Sequence, residues 1–135
     1  MSAPYEYALI RVVPRIDRGE FVNVGVILYC QDRNVLQADT DLDEHRLLAL
    51  WPAVDVAGVR AACRAIARAC DAPAAGTLRD GGGLGARFRW LTAPRSTVVQ
   101  PGPIHAGITD DPQGEVAMIL RRMVAMERAD DSVDG

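Results

Sequence analysis

The side chains in this sequence best suited to chemistry fall in two segments. The first, PRIDRGEFVN, carries Arg15, Arg18, Glu20 and Asn23; the second, ARFRWLTAPRSTVVQPGPIH, carries Arg87, Arg89, Arg95 and His105. Guanidinium groups bind carboxylate and phosphate through paired hydrogen bonds, so arginines held in register by one glutamate would make an anion-recognition site. If the two segments are neighbouring strands, these groups converge. Each also has a structural reading. Glu20 can pair with Arg15 or Arg18 to close a hairpin, and the Asn23 amide can be satisfied by a neighbouring loop backbone or by a ligand. His105 carries an imidazole, the side chain most used in acid/base catalysis, or it is a hydrogen-bonded loop residue. Trp90 is either a stacking surface or, beside Phe88, part of the core.

Other chemistries are excluded or weakly supported. All 15 basic residues are arginine, so a Schiff-base lysine, a phosphate-loop lysine and a lysine general base are ruled out. There are only two histidines, Asp110-Asp111 reads as a helix cap, and no spacing joins Glu20, Asp110 and His105 into a metal site; no metal or cofactor is implied. Ser96 lacks a nucleophile-elbow context. Cys63 and Cys70 lie on one expected helix, about 10 Å apart in rise and beyond disulfide reach, and Cys30 sits in a strand; all three read as buried free thiols. Gly81-Gly82-Gly83 matches neither GxGxxG nor GxxxxGK[ST], and no helical pattern is visible after it, so residues 71–85 read as a flexible loop.

The elements that must position these groups follow from periodicity. The 135 residues, 49% hydrophobic and 24% charged, suit a single domain spanning 1–135. No apolar run is long enough for a membrane span and the N-terminus lacks signal-peptide charge, which implies a cytoplasmic protein without membrane contact. A net charge of −3 argues against a wholly basic nucleic-acid coat and leaves room for a local basic face. Tyr5–Val13 reads as a central strand, residues 14–19 as a turn and Phe21–Cys30 as a second strand. Val22, Val24, Val26, Leu28 and Cys30 should share one face, and Gly25 should mark a close backbone approach. A short third strand covers Val35–Ala38. Asp41 with Glu44 resembles a capping box for a helix stopped by Pro52, and Asp55 caps a longer helix with an Arg60, Arg64, Arg68 ladder on its polar face. Ala86–Thr92 alternates as a strand, with Phe88 and Trp90 on one face and Arg87 and Arg89 on the other. Residues 93–112 are too rich in proline for more than a short strand at Thr97–Gln100. Asp111-Pro112 opens a last helix ending near Arg128, and residues 129–135 form a frayed acidic tail. The expected fold is α+β: an antiparallel sheet of four or five strands, including one near 86–92, with two or three helices packed on one face.

The motifs P-x-x-x-R-G-E-x-x-N-x-G-V at Pro14–Val26, R-x-x-x-x-P-R at Arg89–Arg95 and Q-P-G-P-x-H at Gln100–His105 resemble the bacterial family catalogued as domain of unknown function 3037. The resemblance covers Tyr5 to about Val124. It implies a small cytosolic protein often encoded beside a HipA-type serine/threonine kinase homologue, and no established activity. The leading expectation is thus a non-catalytic accessory module with that kinase homologue as protein partner. It would bind through Arg15, Arg18, Glu20, Asn23, Arg87, Arg89, Arg95 and His105. The alternative is an enzyme or binder acting on a phosphorylated or nucleic-acid substrate, with arginines holding phosphate and Glu20 or His105 moving protons.

Overall fold

The computed structural model describes residues 1–72 and 83–125. Most of the loop expected at 71–85, and all of the tail expected at 129–135, lie outside the described residues. In chain order the elements are β1 (Ala3–Val12), β2 (Val22–Cys30), β3 (Val35–Thr40), α1 (Glu44–Leu50), α2 (Val56–Asp71), α3 (Leu84–Leu91), β4 (Val99–Thr109) and α4 (Pro112–Ile119). The last helix continues as a π-helical turn over Leu120–Val124. The four strands make one antiparallel sheet in the order β3-β2-β1-β4. The fold is therefore α+β as expected, with four helices among the described residues where two or three were expected, and these lie on both faces of the sheet where one was expected.

β1 is central, and its alternation builds two cores. Ile10 and Val12 point to one side, where Leu47 of α1, Val59, Cys63 and Cys70 of α2, and Phe88 and Leu91 of α3 close over them. Ala3, Tyr5, Tyr7 and Leu9 point to the other side, onto a cluster that α4 completes with Val116 and Ile119. Helices thus cover both faces, and α4 lies apart from the helical layer formed by the other three. The strictly alternating face expected for β2 also divides. A bulge sets Ile10 opposite Gly25 but Arg11 opposite Asn23, leaving Val24 as the extra residue. Val22 and Val24 consequently join the first core, whereas Val26, Leu28 and Cys30 join the second. At the bulge a Cβ on Gly25 would lie 2.7 Å from the Asp39 carbonyl oxygen and 2.8 Å from Thr40 Cγ2, the close approach that an in-strand glycine signals.

The sequence expectations for residues 86–112 are corrected as well. Ala86–Thr92 is not a strand: it lies in α3 and its C-cap, and the helix begins immediately after the glycines, with Gly83 at its N-cap. Leu84, Phe88 and Leu91 sit at helical spacing against the core, while Trp90 is 64% exposed and does not pack with Phe88. The fourth strand is instead Val99–Thr109, which runs through Pro101 and Pro103. It is an edge strand, and proline is tolerated there because half of an edge strand's N–H groups face away from the ladder.

The caps show why the helices start where they do. Asp43, rather than Asp41, caps α1 by accepting from the Arg46 amide at 3.2 Å. Asp55 caps α2 as expected, accepting from Gly58 at 3.0 Å. Asp111 precedes Pro112 at the start of α4. The three cysteines are free and buried. Burial raises the Cys63 thiol pKa and pushes that of Cys70 up to about 11.

Candidate functional site

The turn between β1 and β2 carries the first arginines. Arg15 donates to both carboxylate oxygens of Asp17, and Arg18 Nε donates to Glu20 Oε1 at 2.6 Å, with Gly19 supplying the positive φ of 70°. These hydrogen bonds hold the Asp17 and Glu20 carboxyls below their ordinary pKa and raise that of Arg18. Of the two readings of Glu20, hairpin pairing is the contact it makes. Arg15 also reaches back over α1, its guanidinium carbon 5.3 Å from the ring centroid of Trp51.

Trp51 forms the rim of a cleft of about 550 Å³ whose other walls include Pro14, Val54, Val59, Ala62 and Val98. A second depression of about 270 Å³ shares Ala62 and Val99 with it and runs on to Trp90, Leu91 and Arg95. Together they form one groove along α2. Its floor is made by Gly58, Ala62, Ala65 and Ala69, residues too small to fill the space between α2 and the start of β4. At the far end Arg95 donates from Nη2 to the Trp90 carbonyl at 2.5 Å and lies 4.8 Å over the Trp90 ring. Each end of the groove is thus marked by a guanidinium stacked on an indole, a contact worth about 0.5–1 kcal/mol where exposed.

The remaining expected residues lie elsewhere. Arg87 does not share a face with Arg89, because residues two apart on a helix point in different directions. Its Nη1 is placed at the C-terminus of α2, 3.2 Å from the Ala69 carbonyl and 2.6 Å from that of Ala72. Arg89 packs back over its own helix, near Gly85. Asn23 lies on the α4 side of the sheet, where Nδ2 donates to the Met123 carbonyl at 3.2 Å and Oδ1 is buried without a partner. Exposed His105 stands on the same side, its ring 5.2 Å from that of Tyr7. The eight residues do not form one pocket: Arg15 and Arg95 flank the groove, Arg87 and Arg89 belong to α3, and Asn23 and His105 lie on the opposite face of the sheet.

Sequence reasoning missed Trp51 as a rim residue and α2 as a groove wall. The available signal was the recurrence of small residues at Gly58, Ala62, Ala65 and Ala69, at the same spacing as a buried stripe but too small to cover a neighbour. It also passed over Arg11, the one basic residue in β1 and in phase with Tyr5 and Tyr7. Among the described residues, no group of three or more histidine, cysteine or acidic side chains could hold a metal ion, and no helix is long and apolar enough to cross a membrane.

Fold and surfaces together define an α+β domain with a long apolar groove between two helices and the start of an edge strand. The chain belongs to the DUF3037 family of proteins of unknown function, whose family model matches residues 7–124. No curated protein and no solved structure matches it.

Proposed function

We propose that the protein is a non-catalytic binding module whose groove along α2 receives a protein partner, and that this partner is the HipA-type kinase homologue implied by the family resemblance. The observation that carries the reading is the pair of arginine–tryptophan stacks at the two ends of an apolar cleft. Tryptophan and arginine concentrate binding energy at protein interfaces, and an indole left 64% exposed at Trp90 is the type of anchor that a partner buries. The separation of the arginines between the ends of the groove and α3 supports contact at separate points better than it supports a single phosphate cradle.

Co-expression with the kinase homologue tests the proposal. A stable complex is expected on size exclusion, and Trp90→Ala and Arg95→Ala should each weaken it by about tenfold or more. Two separate peaks from the native pair would overturn the choice of partner. Undiminished affinity in both variants would overturn the choice of groove.

A further inference from the structure

A second polar site lies across the sheet from the groove and is independent of the reading above. Strand register places Asn23 of β2, Arg11 of β1 and Gln100 of β4 side by side. Each of the two amides commits a donor to the backbone: Asn23 Nδ2 to the Met123 carbonyl and Gln100 Nε2 to the Thr97 carbonyl at 2.8 Å. Arg11 is the charged donor of the row, and its Nε has no hydrogen-bond partner. Its guanidinium carbon lies 3.9 Å from the centroid of the Phe21 ring. It also rests on the Gly102 backbone, where a Cβ would come within 2.7 Å of Nη2 and 3.1 Å of Cζ.

This arrangement is unusual for an arginine at the end of a strand, where the side chain could extend freely into water. An aromatic ring and a position without a side chain hold the planar group down instead. Its Nε is sealed from solvent with no acceptor, and among the described residues no carboxylate pairs with it. A half-buried charge without a counter-charge is costly, and an incoming anion removes that cost. A guanidinium whose rotamer is already fixed also loses little entropy when it forms paired hydrogen bonds.

We propose that Arg11, held by Phe21 and Gly102, is the receptor for an oxyanion, a carboxylate or a phosphate, that docks on its free Nη edge. The test follows the Arg11 Nε–H resonance of the isotope-labelled protein during titration with sodium phosphate and, separately, sodium acetate. Sodium chloride at matched ionic strength is the control. A saturable shift with phosphate, acetate or both is expected, and the two arms separate the oxyanion classes. Arg11→Lys keeps the charge and loses the fork, and should weaken binding at least about tenfold. Gly102→Ala keeps the arginine but displaces it, and should weaken binding as well. A response no different from chloride would overturn the proposal, and this titration of the native chain decides the matter even where a variant does not fold. Undiminished affinity in a folded Arg11→Lys protein would overturn the assignment of the receptor.

Discussion

Single side chains in this molecule often do structural work that their chemistry disguises. Arg87 looked like half of an anion clamp, yet its Nη1 sits among the last carbonyls of α2, which have no helical partners of their own. Arg87→Ala should therefore cost about 1–3 kcal/mol, read as a lower urea midpoint, and Arg87→Lys should recover only part of it because an ammonium cannot present the same planar fork. A surface arginine would show neither loss. Cys70 gives a pH prediction of definite sign. Burial raises its folded pKa to about 11 from an ordinary value of 9.0. Between those values the unfolded thiol ionises and the folded one does not, so the contribution is fully present below pH 9 and is lost as pH rises through 11. From pH 8 to pH 10.5 the urea midpoint should fall more for the native chain than for Cys70→Ala, in which buried Cys63 still acts in the same direction. Parallel falls would remove Cys70 as the cause. Residue types alone could suggest the Glu20 pairing, because its partner is two positions away. They could not show that Asn23 reaches Met123, one hundred positions on.

At the scale of elements, what was legible depended on how many turns of a pattern the chain offered. β1, β2 and α2 repeat their period often enough to be read directly, and Asp55 and Pro112 marked two helix starts correctly. α3 is eight residues long, and over so short a stretch Phe-Arg-Trp alternation and an i, i+4, i+7 stripe fit the same letters. Burial of Phe88 against Tyr29, with ring centroids 5.6 Å apart, fixes the helical alternative, and no local signal contains that contact. β4 was obscured by Pro101 and Pro103, which argue against a strand until the strand is known to lie at an edge. Gly25, by contrast, was legible as a close approach, and the bulge explains it. Gly25→Ala would press a methyl group on the β3 backbone, which cannot swing aside as a flexible side chain could. The expected loss is about 1–3 kcal/mol, or a Tm lower by roughly 5–10 °C. An unchanged Tm would mean that β3 yields at Asp39 and Thr40.

For the molecule as a whole, the arrangement of layers decides which surfaces remain available. Helices cover both faces of the sheet, so partners are left with the groove, the half-buried polar row at Arg11, and the two sheet edges. The β4 edge is the more hazardous. It is 11 residues long, and Ile104 and Ile108 on it are 46% and 72% exposed. Exposed apolar edge strands recruit other strands unless something prevents pairing. Pro101 and Pro103 supply that something, since neither can donate a hydrogen bond to an added strand. Their cost within the fold is small because β4 is an edge strand and its pairing with β1 already shifts register at Gly102-Pro103, places where a sheet tolerates proline. Replacing both with threonine, a good strand former, should leave the native fold intact and return backbone donors to this edge. The double variant should then associate in a concentration-dependent way by analytical ultracentrifugation at concentrations where the native chain does not. If the two sediment alike, the prolines do not guard the edge. If the variant associates and still binds the partner with unchanged affinity, recognition runs through side chains in the groove and not through strand addition, which is the division of labour that the two surfaces suggest.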